Sequence, residues 1–347
     1  MNLSFFVFSA FLVAFTEPFF YNKESSKRKG QGDMEKKCIG IDVGGTTVKV
    51  GIFELDGTLL KKWEVPTRKE ENGKHILPDV AASIKTVLKE ERISMDDVIG
   101  AGMGLPGPVL SDGYVEVCVN LGWHDMNPQR ILCDLLDGLP IKTGNDANVA
   151  ALGEMWQGGA KGYTDIVMVT LGTGVGGGVI IDEKIITGKH GMGGEIGHIR
   201  IREGETERCN CKGYGCVEQI ASATGIAREA RRLMEKGGEP SAMRKFGDKV
   251  TAKNVLDCAK AGDDMALEVM ETVSYYLGWA LSMVSMTVDP EVFVIGGGVS
   301  KAGTFLTEKI RKYYEEYTPL THNKAGIALA KLGNDAGIYG AARLLLD

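Results

Sequence analysis

The sequence predicts an α/β protein with two similar lobes that face a cleft. The stretches CIGIDVGGTTVKVGIFEL (38–55) and IVMVTLGTGVGGGVIIDEKII (166–186) each place glycines between two β-branched segments. That pattern is typical of a glycine turn between antiparallel strands. Elsewhere strand patterns alternate with helical ones, which indicates layered α/β structure. The recurrence of the glycine hairpin favours a duplicated architecture.

The remaining elements follow in chain order. After the first hairpin, Asp56-Gly57 predicts a turn into a third strand, TLLKKWEV (58–65). VIGAGMG (98–104) predicts a strand that ends in the loop GLPGPV (104–109), and EVFVIG (291–296) predicts another. Helices are predicted at about 76–91, 149–156, 218–236, 263–288, 303–317 and 335–346, with a late strand at 326–331.

Composition fits a globular protein of two domains. The chain has 347 residues, of which 44% are hydrophobic and 25% charged, and this argues against disorder and against a polytopic membrane protein. The net charge of -6 gives no basic footprint for nucleic acid, so no nucleic-acid partner is expected. The 47 glycines form an excess without a collagen period, so tight backbone must occur at particular sites.

The first 33 residues differ from the rest. Residues 5–15 form an apolar run of eleven residues, whereas a membrane-spanning helix needs about 20. No positive charge precedes the run, as a signal peptide would require, although a short export signal or anchor is the alternative. We expect residues 1–33 to be an extension outside the fold, with a small lobe at 34–145, a large lobe at 146–334 and the terminal helix (335–347) packed on the small lobe. No membrane association is expected.

The glycine clusters favour a nucleotide cleft. GTGVGG (172–177) matches the dinucleotide and protein-kinase glycine motifs, but a strand pattern follows it and the kinase HRD and DFG motifs and a Walker A sequence are absent. Plain hairpin turns are the alternative. Glycine lets backbone N–H groups approach phosphate, threonine adds hydroxyls, and Asp42 can hold Mg²⁺. The predicted ATP contacts are Asp42, Gly44, Gly45, Thr46, Thr47, Lys49, Gly172, Thr173, Gly174, Gly296, Gly297 and Gly298.

The segment NDAN (145–148) joins a strand to a helix. Asp146 could simply cap that helix. A carboxylate there is expected to stay ionised because the helix dipole favours the anion, so it could also accept the proton of a sugar hydroxyl that attacks a γ-phosphate. Asn145 could bond neighbouring hydroxyls, because an amide both donates and accepts.

One histidine and three cysteines form a candidate metal site. Seven cysteines are too few for a disulfide framework, and the clustering indicates a metal in a reducing compartment. The four predicted ligands are His198, Cys209, Cys211 and Cys216. Such a set suits structural zinc, and free cysteines in a core are the alternative. Zinc would fix the loop that carries Glu195 and Glu218, whose carboxylates could then face sugar hydroxyls.

Taken together, these motifs resemble the ROK family of sugar kinases and repressors, and most closely its bacterial ATP-dependent glucokinases. The matching stretches cover about residues 36–347: IGIDVGGTTVK, GLPGPV, VNLGW, NDANVAALGEMW, VTLGTGVGGG, GGEIGH, the CxC…GCxE segment, ASATGI, IGGGVS and GNDAGIYGA. The resemblance implies an actin-like ATPase (duplicated ribonuclease-H-like) fold. It implies transfer of the γ-phosphate of ATP to the 6-hydroxyl of D-glucose, which gives glucose 6-phosphate for glycolysis.

The same resemblance implies the residue roles. Asp146 would be the catalytic base, Gly296–Gly298 would line the adenosine pocket, and His198 would serve both zinc and sugar. The implied sugar contacts are Asn120, Asn145, Asp146, Glu195, His198 and Glu218. ATP, Mg²⁺ and structural Zn²⁺ are the implied cofactors, and a cytoplasmic homodimer is expected.

Two departures and several alternatives remain. Lys212 stands where the family usually has Gly, which should alter the loop and not the ligand spacing, and Gly144 stands where an acidic residue is often found. Mannose, N-acetylmannosamine, N-acetylglucosamine, fructose or allose could replace glucose. Polyphosphate could be a donor, although no basic run supports it. A sugar-sensing repressor is disfavoured, because the 41 residues before Asp42 show no helix-turn-helix pattern.

Overall fold

The computed structural model describes residues 36–110 and 112–346. The predicted extension at 1–33 lies outside the described residues. The strands are β1 (Lys37–Val43), β2 (Thr47–Glu54), β3 (Leu59–Pro66), β4 (Val98–Leu105), β5 (Val115–Cys118), β6 (Trp123–Met126), β7 (Ile141–Asn145), β8 (Ile166–Leu171), β9 (Val175–Ile181), β10 (Lys184–Ile185), β11 (Val292–Gly296) and β12 (Gly326–Leu329). The α-helices are α1 (Glu70–Gly73), α2 (Ile76–Glu90), α3 (Pro128–Leu135), α4 (Asp146–Gln157), α5 (Glu218–Ala221), α6 (Ala223–Lys236), α7 (Ala252–Lys260), α8 (Asp264–Val288), α9 (Thr304–Glu316) and α10 (Ala336–Arg343).

The predicted duplication is confirmed by the two larger sheets. One has the strand order β3-β2-β1-β4-β7 and the other β10-β9-β8-β11-β12. In both, the first three strands of the order pair antiparallel, the fourth pairs in parallel with the central strand, and the fifth pairs in parallel with the fourth. Each glycine loop therefore joins the central strand of its sheet to an antiparallel neighbour. The remaining pair, β5-β6, forms a small separate ribbon.

The central strands are buried because helices cover their sheets. β8 and β11 are buried along almost their whole lengths, and their runs of valine and isoleucine are typical of strands covered on both faces. The core around β8 and β11 includes α6, α7, α8 and α9, whereas a second core joins β1, β2 and β4 to α2 and α3. Each of these two sheets thus has its own hydrophobic core.

Helix α10 returns to the first sheet. It lies across β1 and β4, and it also packs along α4. The approach is so close that a Cβ on Gly102 of β4 would overlap the Ala341 carbonyl. The helix itself ends at Arg343, and a 3₁₀ turn covers Leu344–Leu346.

A buried carboxylate anchors the chain that leads into α10. The Glu154 side chain near the end of α4 is fully buried, and its oxygens accept the backbone N–H groups of Gly159 at 2.7 Å, Lys331 at 2.9 Å and Leu332 at 2.8 Å. Three charge-assisted bonds compensate the desolvation of this anion. The helix that begins at Asp146 is therefore tied at its far end to the segment before α10.

Two helix predictions need correction. The single helix predicted at 218–236 is two helices, because Ser222 is extended and its hydroxyl accepts the N–H of Gly225 at 3.0 Å to cap α6. Helix α7 was not predicted. The other predicted helices occur within a few residues of their expected bounds, apart from the early end of α10. Within the described part of the chain, no helix is long and apolar enough to cross a membrane.

Candidate active site

The first glycine loop ends a strand at an acidic residue. Asp42 lies near the end of β1 and pairs across the hairpin with Lys49 of β2. Burial raises the pKa of Asp42 to about 6; Lys49 opposes this shift, while the charges of Asp146 and Asp335 add to it. The Lys49 Nζ donates to the Asn334 carbonyl at 2.7 Å. A buried carboxylate with other carboxylates nearby could bind a divalent cation, which would offset their mutual repulsion.

The first glycine loop is closed by one internal hydrogen bond and held by another from the residue that follows β3. Gly44 N–H donates to the Thr47 carbonyl at 3.1 Å, and the Thr67 hydroxyl donates to the Gly44 carbonyl at 2.7 Å. The Thr46 side chain is exposed. Asn120 lies in the exposed turn between β5 and β6, with its carbonyl beside Gly45. The structure therefore brings Asn120 next to the first loop.

Asn145, and not Asp146, caps helix α4. Its Oδ1 accepts the N–H groups of Ala147 at 3.0 Å and Asn148 at 3.2 Å, and its Nδ2 donates to the Gly107 carbonyl at 3.1 Å. The expectation that Asp146 might be the cap is wrong by one residue, because the extended backbone required of a cap occurs at Asn145. Asn145 thereby joins the GLPGPV loop to the helix.

Asp146 is the first residue of α4, and its two oxygens differ. Oδ1 accepts from Ala147 N–H at 2.8 Å and Asn145 Nδ2 at 3.1 Å, whereas no described residue donates to Oδ2. Burial raises the pKa of Asp146, the bonds from Ala147 and Asn145 oppose the rise, and the charge of Glu195 adds to it. The helix N-terminus was expected to favour the ionised form of Asp146, but burial has the larger effect on its pKa. A fixed carboxylate with one unbonded oxygen and a raised pKa can accept a proton.

The four predicted metal ligands come together. Their ligand atoms all lie within 4.8 Å of one another, with His198 Nδ1 3.7 Å from Cys209 Sγ and Cys211 Sγ 3.6 Å from Cys216 Sγ. A tetrahedral ion with metal–sulfur bonds of about 2.3 Å would separate its ligands by about 3.8 Å. Burial, with the neighbouring thiols, raises the pKa of Cys216 to about 12. A bound cation would reverse that shift, so the donor set fits a tetrahedral metal.

His198 faces the cluster with one nitrogen and Glu195 with the other. Nδ1 is directed at Cys209, and Nε2 lies 3.8 Å from Glu195 Oε2. The imidazole stands at the end of a 3₁₀ turn, Ile196–His198, and is half-buried, whereas the Glu195 side chain is exposed. One ring could therefore ligate a metal and still contact a ligand beside Glu195.

Glu218 lies between the predicted metal ligands and the second glycine loop. Its Oε2 accepts the Val175 N–H at 3.0 Å, and its Oε1 lies 3.4 Å from Asn210 Nδ2 and 3.6 Å from Cys209 Sγ. The contact with Val175 could not be predicted from local pattern, since 43 positions separate the two residues. The carboxylate predicted to face a sugar is thus also bonded to the loop predicted to face a nucleotide.

Several cavities border these groups, and two of them adjoin the predicted nucleotide and sugar residues. One of about 500 Å³ lies against Gly298, Ala223 and the start of α7, where Thr251 and Leu256 form part of its wall. The sequence analysis did not predict this wall. The capping box between Thr251 and Asn254, which marks the start of α7, was the signal that could have revealed it. The second cavity, about 280 Å³, includes Asn145, Glu195 and the loop Gly107–Leu110 in its lining. Gly297 packs against the Leu171 backbone, so the third glycine cluster adjoins the second loop.

Comparison with known proteins decides the family. The model of the ROK family matches residues 38–347. The chain belongs to the ROK family. A glucokinase from Halalkalibacterium halodurans is 41% identical over 312 residues, which are 88% of this chain and 94% of that protein.

Solved structures of ROK proteins share the fold. A ROK hexokinase from Thermus thermophilus has a TM-score of 0.74 at 30% identity over 88% of this chain and 96% of its own. A ROK glucokinase from Streptomyces griseus, solved with glucose and AMPPNP, has a TM-score of 0.68 at 30% identity over 89% of this chain and 98% of its own. The duplicated sheets are those of the actin-like ATPase fold, as expected.

Proposed function

We propose that this ATP-dependent sugar kinase of the ROK family transfers the γ-phosphate of ATP to the 6-hydroxyl of D-glucose. The observation that carries glucose is the 41% identity to a bacterial glucokinase along nearly its whole length. The ROK glucokinase structure that holds glucose and AMPPNP supports the same substrate pair. Mannose, N-acetylmannosamine, N-acetylglucosamine, fructose and allose are the alternatives within the family.

Asp146 is the proposed base. Its oxygen Oδ2 is free of bonds from described residues, while Oδ1 is fixed by Ala147 N–H, so the side chain is oriented without being neutralised. As the sugar 6-hydroxyl attacks the γ-phosphorus, Asp146 would take its proton. The transition state of phosphoryl transfer is loose, so position matters more than base strength. Asn145, fixed by Gly107, would orient a neighbouring hydroxyl.

The proposed sugar set is completed by Asn120, Glu195, His198 and Glu218. Their mixture of carboxylates, amide and imidazole matches the donors and acceptors of hexose hydroxyls. On the nucleotide side, Asp42 and the two glycine loops would hold MgATP, with the cavity beside Gly298 for adenosine. A magnesium ion would neutralise the charge that develops on the phosphates.

We further propose zinc at His198, Cys209, Cys211 and Cys216. Four N and S ligands leave no open position, so the ion would be structural. It would fix the loop between Glu195 and Glu218. We expect Cys211→Ser to lower the zinc content measured by mass spectrometry, and an unchanged zinc content would contradict the assignment.

An ADP-release assay over a panel of hexoses tests the proposed reaction. Glucose should give the highest kcat/KM, and Asp146→Asn should lower kcat by about 10³-fold, within the usual range for general-base catalysis. Asp248→Asn, at an exposed aspartate, is the matched control and should retain activity. Absence of sugar-dependent ADP release, or full activity in Asp146→Asn, would refute the proposal. Higher kcat/KM with another hexose would reassign the substrate.

The cytoplasmic location, the homodimer, the lobe bounds and the 1–33 extension stay predictions. A sugar-sensing repressor remains the second class of function. No contact in the described residues favours it over the kinase.

A further inference from the structure

The second glycine loop is held from one side by the junction of α5 and α6. Gly172 N–H bonds the Gly174 carbonyl at 3.0 Å and closes the turn. The Gly172 carbonyl accepts Ala223 N–H at 2.8 Å, and the Thr173 carbonyl accepts the Thr224 hydroxyl at 2.8 Å. These bonds leave the start of β9 to be fixed by another group.

That group is the Glu218 carboxylate. It accepts Val175 N–H at 3.0 Å, and it lies so close to Gly174 that a Cβ on this glycine would collide with Oε2. A charged acceptor makes a stronger bond to a backbone N–H than a neutral one does. A side chain from a different element therefore contributes to the position of the loop between β8 and β9, beside the bonds from Ala223 and Thr224 and the strand pairing of Leu171 with Val175.

The other oxygen of the same carboxylate faces the metal ligands. Oε1 lies 3.4 Å from Asn210 Nδ2 and 3.6 Å from Cys209 Sγ. The backbone beside Glu218 is fixed too, because Val217 N–H donates to the Ile199 carbonyl at 3.0 Å, just after His198. Because one carboxylate makes both sets of contacts, any ligand that orders the Glu218 side chain also acts on the 171–175 loop.

We propose that Glu218 is a positioning residue for the 171–175 loop and that it couples sugar binding to nucleotide binding. The sugar half rests on the proposed function, in which Glu218 accepts sugar hydroxyls. A sugar that restricts the carboxylate keeps Val175 N–H in place, so the nucleotide meets an ordered loop. By linkage, the nucleotide must favour the sugar by the same factor.

Calorimetric titration of Mg·AMPPNP into the sugar-free protein tests the positioning role. We expect Glu218→Gln, which keeps the shape and removes the charge, to raise the Kd of the analogue about five- to tenfold. Glu203→Gln is the matched control, because Glu203 is exposed and no bond joins it to the 171–175 loop within the described residues; its Kd should stay within about twofold of wild type. A wild-type Kd in Glu218→Gln would overturn the proposal.

A second pair of variants guards against indirect effects through residues 198–216, the segment that carries the predicted metal ligands and is called the metal loop here. Gly174→Ala should displace the carboxylate and raise the Kd, whereas a Cβ on Gly172 meets only the Gly174 carbonyl at 4.0 Å, so Gly172→Ala should raise it less. Equal Kd values for these two variants would overturn the proposal. Zinc content, measured on every variant, shows whether the metal loop is intact. If Glu218→Gln loses zinc, the comparison of Gly174→Ala with Gly172→Ala tests the positioning role instead.

The sugar arm repeats the titrations with saturating glucose. Glucose should tighten analogue binding in the wild type by at least about fivefold and should not do so in Glu218→Gln. Equal tightening in both proteins would overturn the coupling. The sugar-free titrations do not depend on which sugar is the substrate, so failure of the hexose panel would refute the proposed function alone.

Discussion

The two glycine loops occupy the same place in two sheets of one topology, yet they obtain their charge differently. The loop after β1 begins beside its own carboxylate, Asp42, which pairs with Lys49 across the hairpin. The loop after β8 runs from Leu171 to Val175, and its carboxylate contact comes from Glu218 of α5, which accepts the Val175 N–H. The two sheets thus share the same backbone loop, but the carboxylates beside the loops differ. Asp42 suits a cation, whereas Glu218 positions the loop.

The supports of the two loops differ as well. The first is tied to neighbouring strands and to the segment before α10, through Lys49 and Asn334. The second depends on the α5–α6 junction. Helix α6 is in turn held to the metal loop by ion pairs, among which Arg232 binds both oxygens of Glu205 at 2.8 Å. Substitutions beside the first loop should therefore change the rate of phosphoryl transfer, whereas substitutions beside the second should change the stability and order of the structure that holds it.

Among substitutions that compare the two loops, the largest effect is expected at Asp42. Asp42→Asn should lower kcat/KM for MgATP by about 10²- to 10³-fold, because a preorganised charge at the phosphates is lost. In the wild type, the carboxylate with a pKa of about 6 becomes protonated as the pH falls. The same kcat/KM should therefore decline as the pH drops through about 6 and should level off above it. Asp146, whose pKa is also raised by burial, can add an acid limb of its own. In Asp42→Asn the midpoint near pH 6 should therefore shift, and a profile with an unchanged midpoint would contradict the assignment.

Glu205 gives the next largest effect, on stability. Its side chain is 1% exposed, and its bonds with Arg232 lower its pKa to about 2. Glu205→Gln should lower the free energy of unfolding by about 2 to 3 kcal/mol at pH 7. Because the folded pKa is depressed, this stability is present above pH of about 4.3 and is lost as the pH falls through about 2. Urea unfolding at several pH values measures it, and a constant difference between wild type and variant from pH 7 to 2.5 would contradict the account.

The exposed threonines compare the loops directly. Thr46→Ala and Thr173→Ala each remove a hydroxyl that would donate to phosphate, so each should raise KM for ATP by about tenfold, as expected for one charge-assisted bond. The Thr224 bond to the Thr173 carbonyl survives this change, so loop position is unaffected. Steady-state kinetics at saturating glucose measures both values. An effect at only one threonine would show that only one loop contacts the phosphates.

The smallest effect is expected at Lys212. This residue has a φ of 69°, in the left-handed region that favours glycine. Lys212→Gly should relieve about 1 kcal/mol of strain in the loop between Cys211 and Cys216. Slower loss of zinc to a chelator would measure this relief, with Lys249→Gly outside the loop as a control for the lost charge. Faster loss of zinc from Lys212→Gly would contradict it.

Local patterns predicted what local chemistry determines. The hairpins and the clustering of the cysteines at 209–216 were visible, because their signals lie within a few residues. Helix α7 was missed, since its capping box has Asn254 in place of the usual Glu or Gln. Contacts between distant positions were invisible: Glu218 meets Val175, and Glu205 meets Arg232, only after the chain has folded.

Phosphorus NMR of the product tests the central claim most directly. The enzyme, glucose and MgATP should yield a sugar phosphate whose phosphorus is split into a triplet by the two protons on C6. Asp146→Asn should form the same product far more slowly. A doublet, which reports phosphorylation at a carbon with one proton, or the absence of any sugar phosphate, would contradict the account.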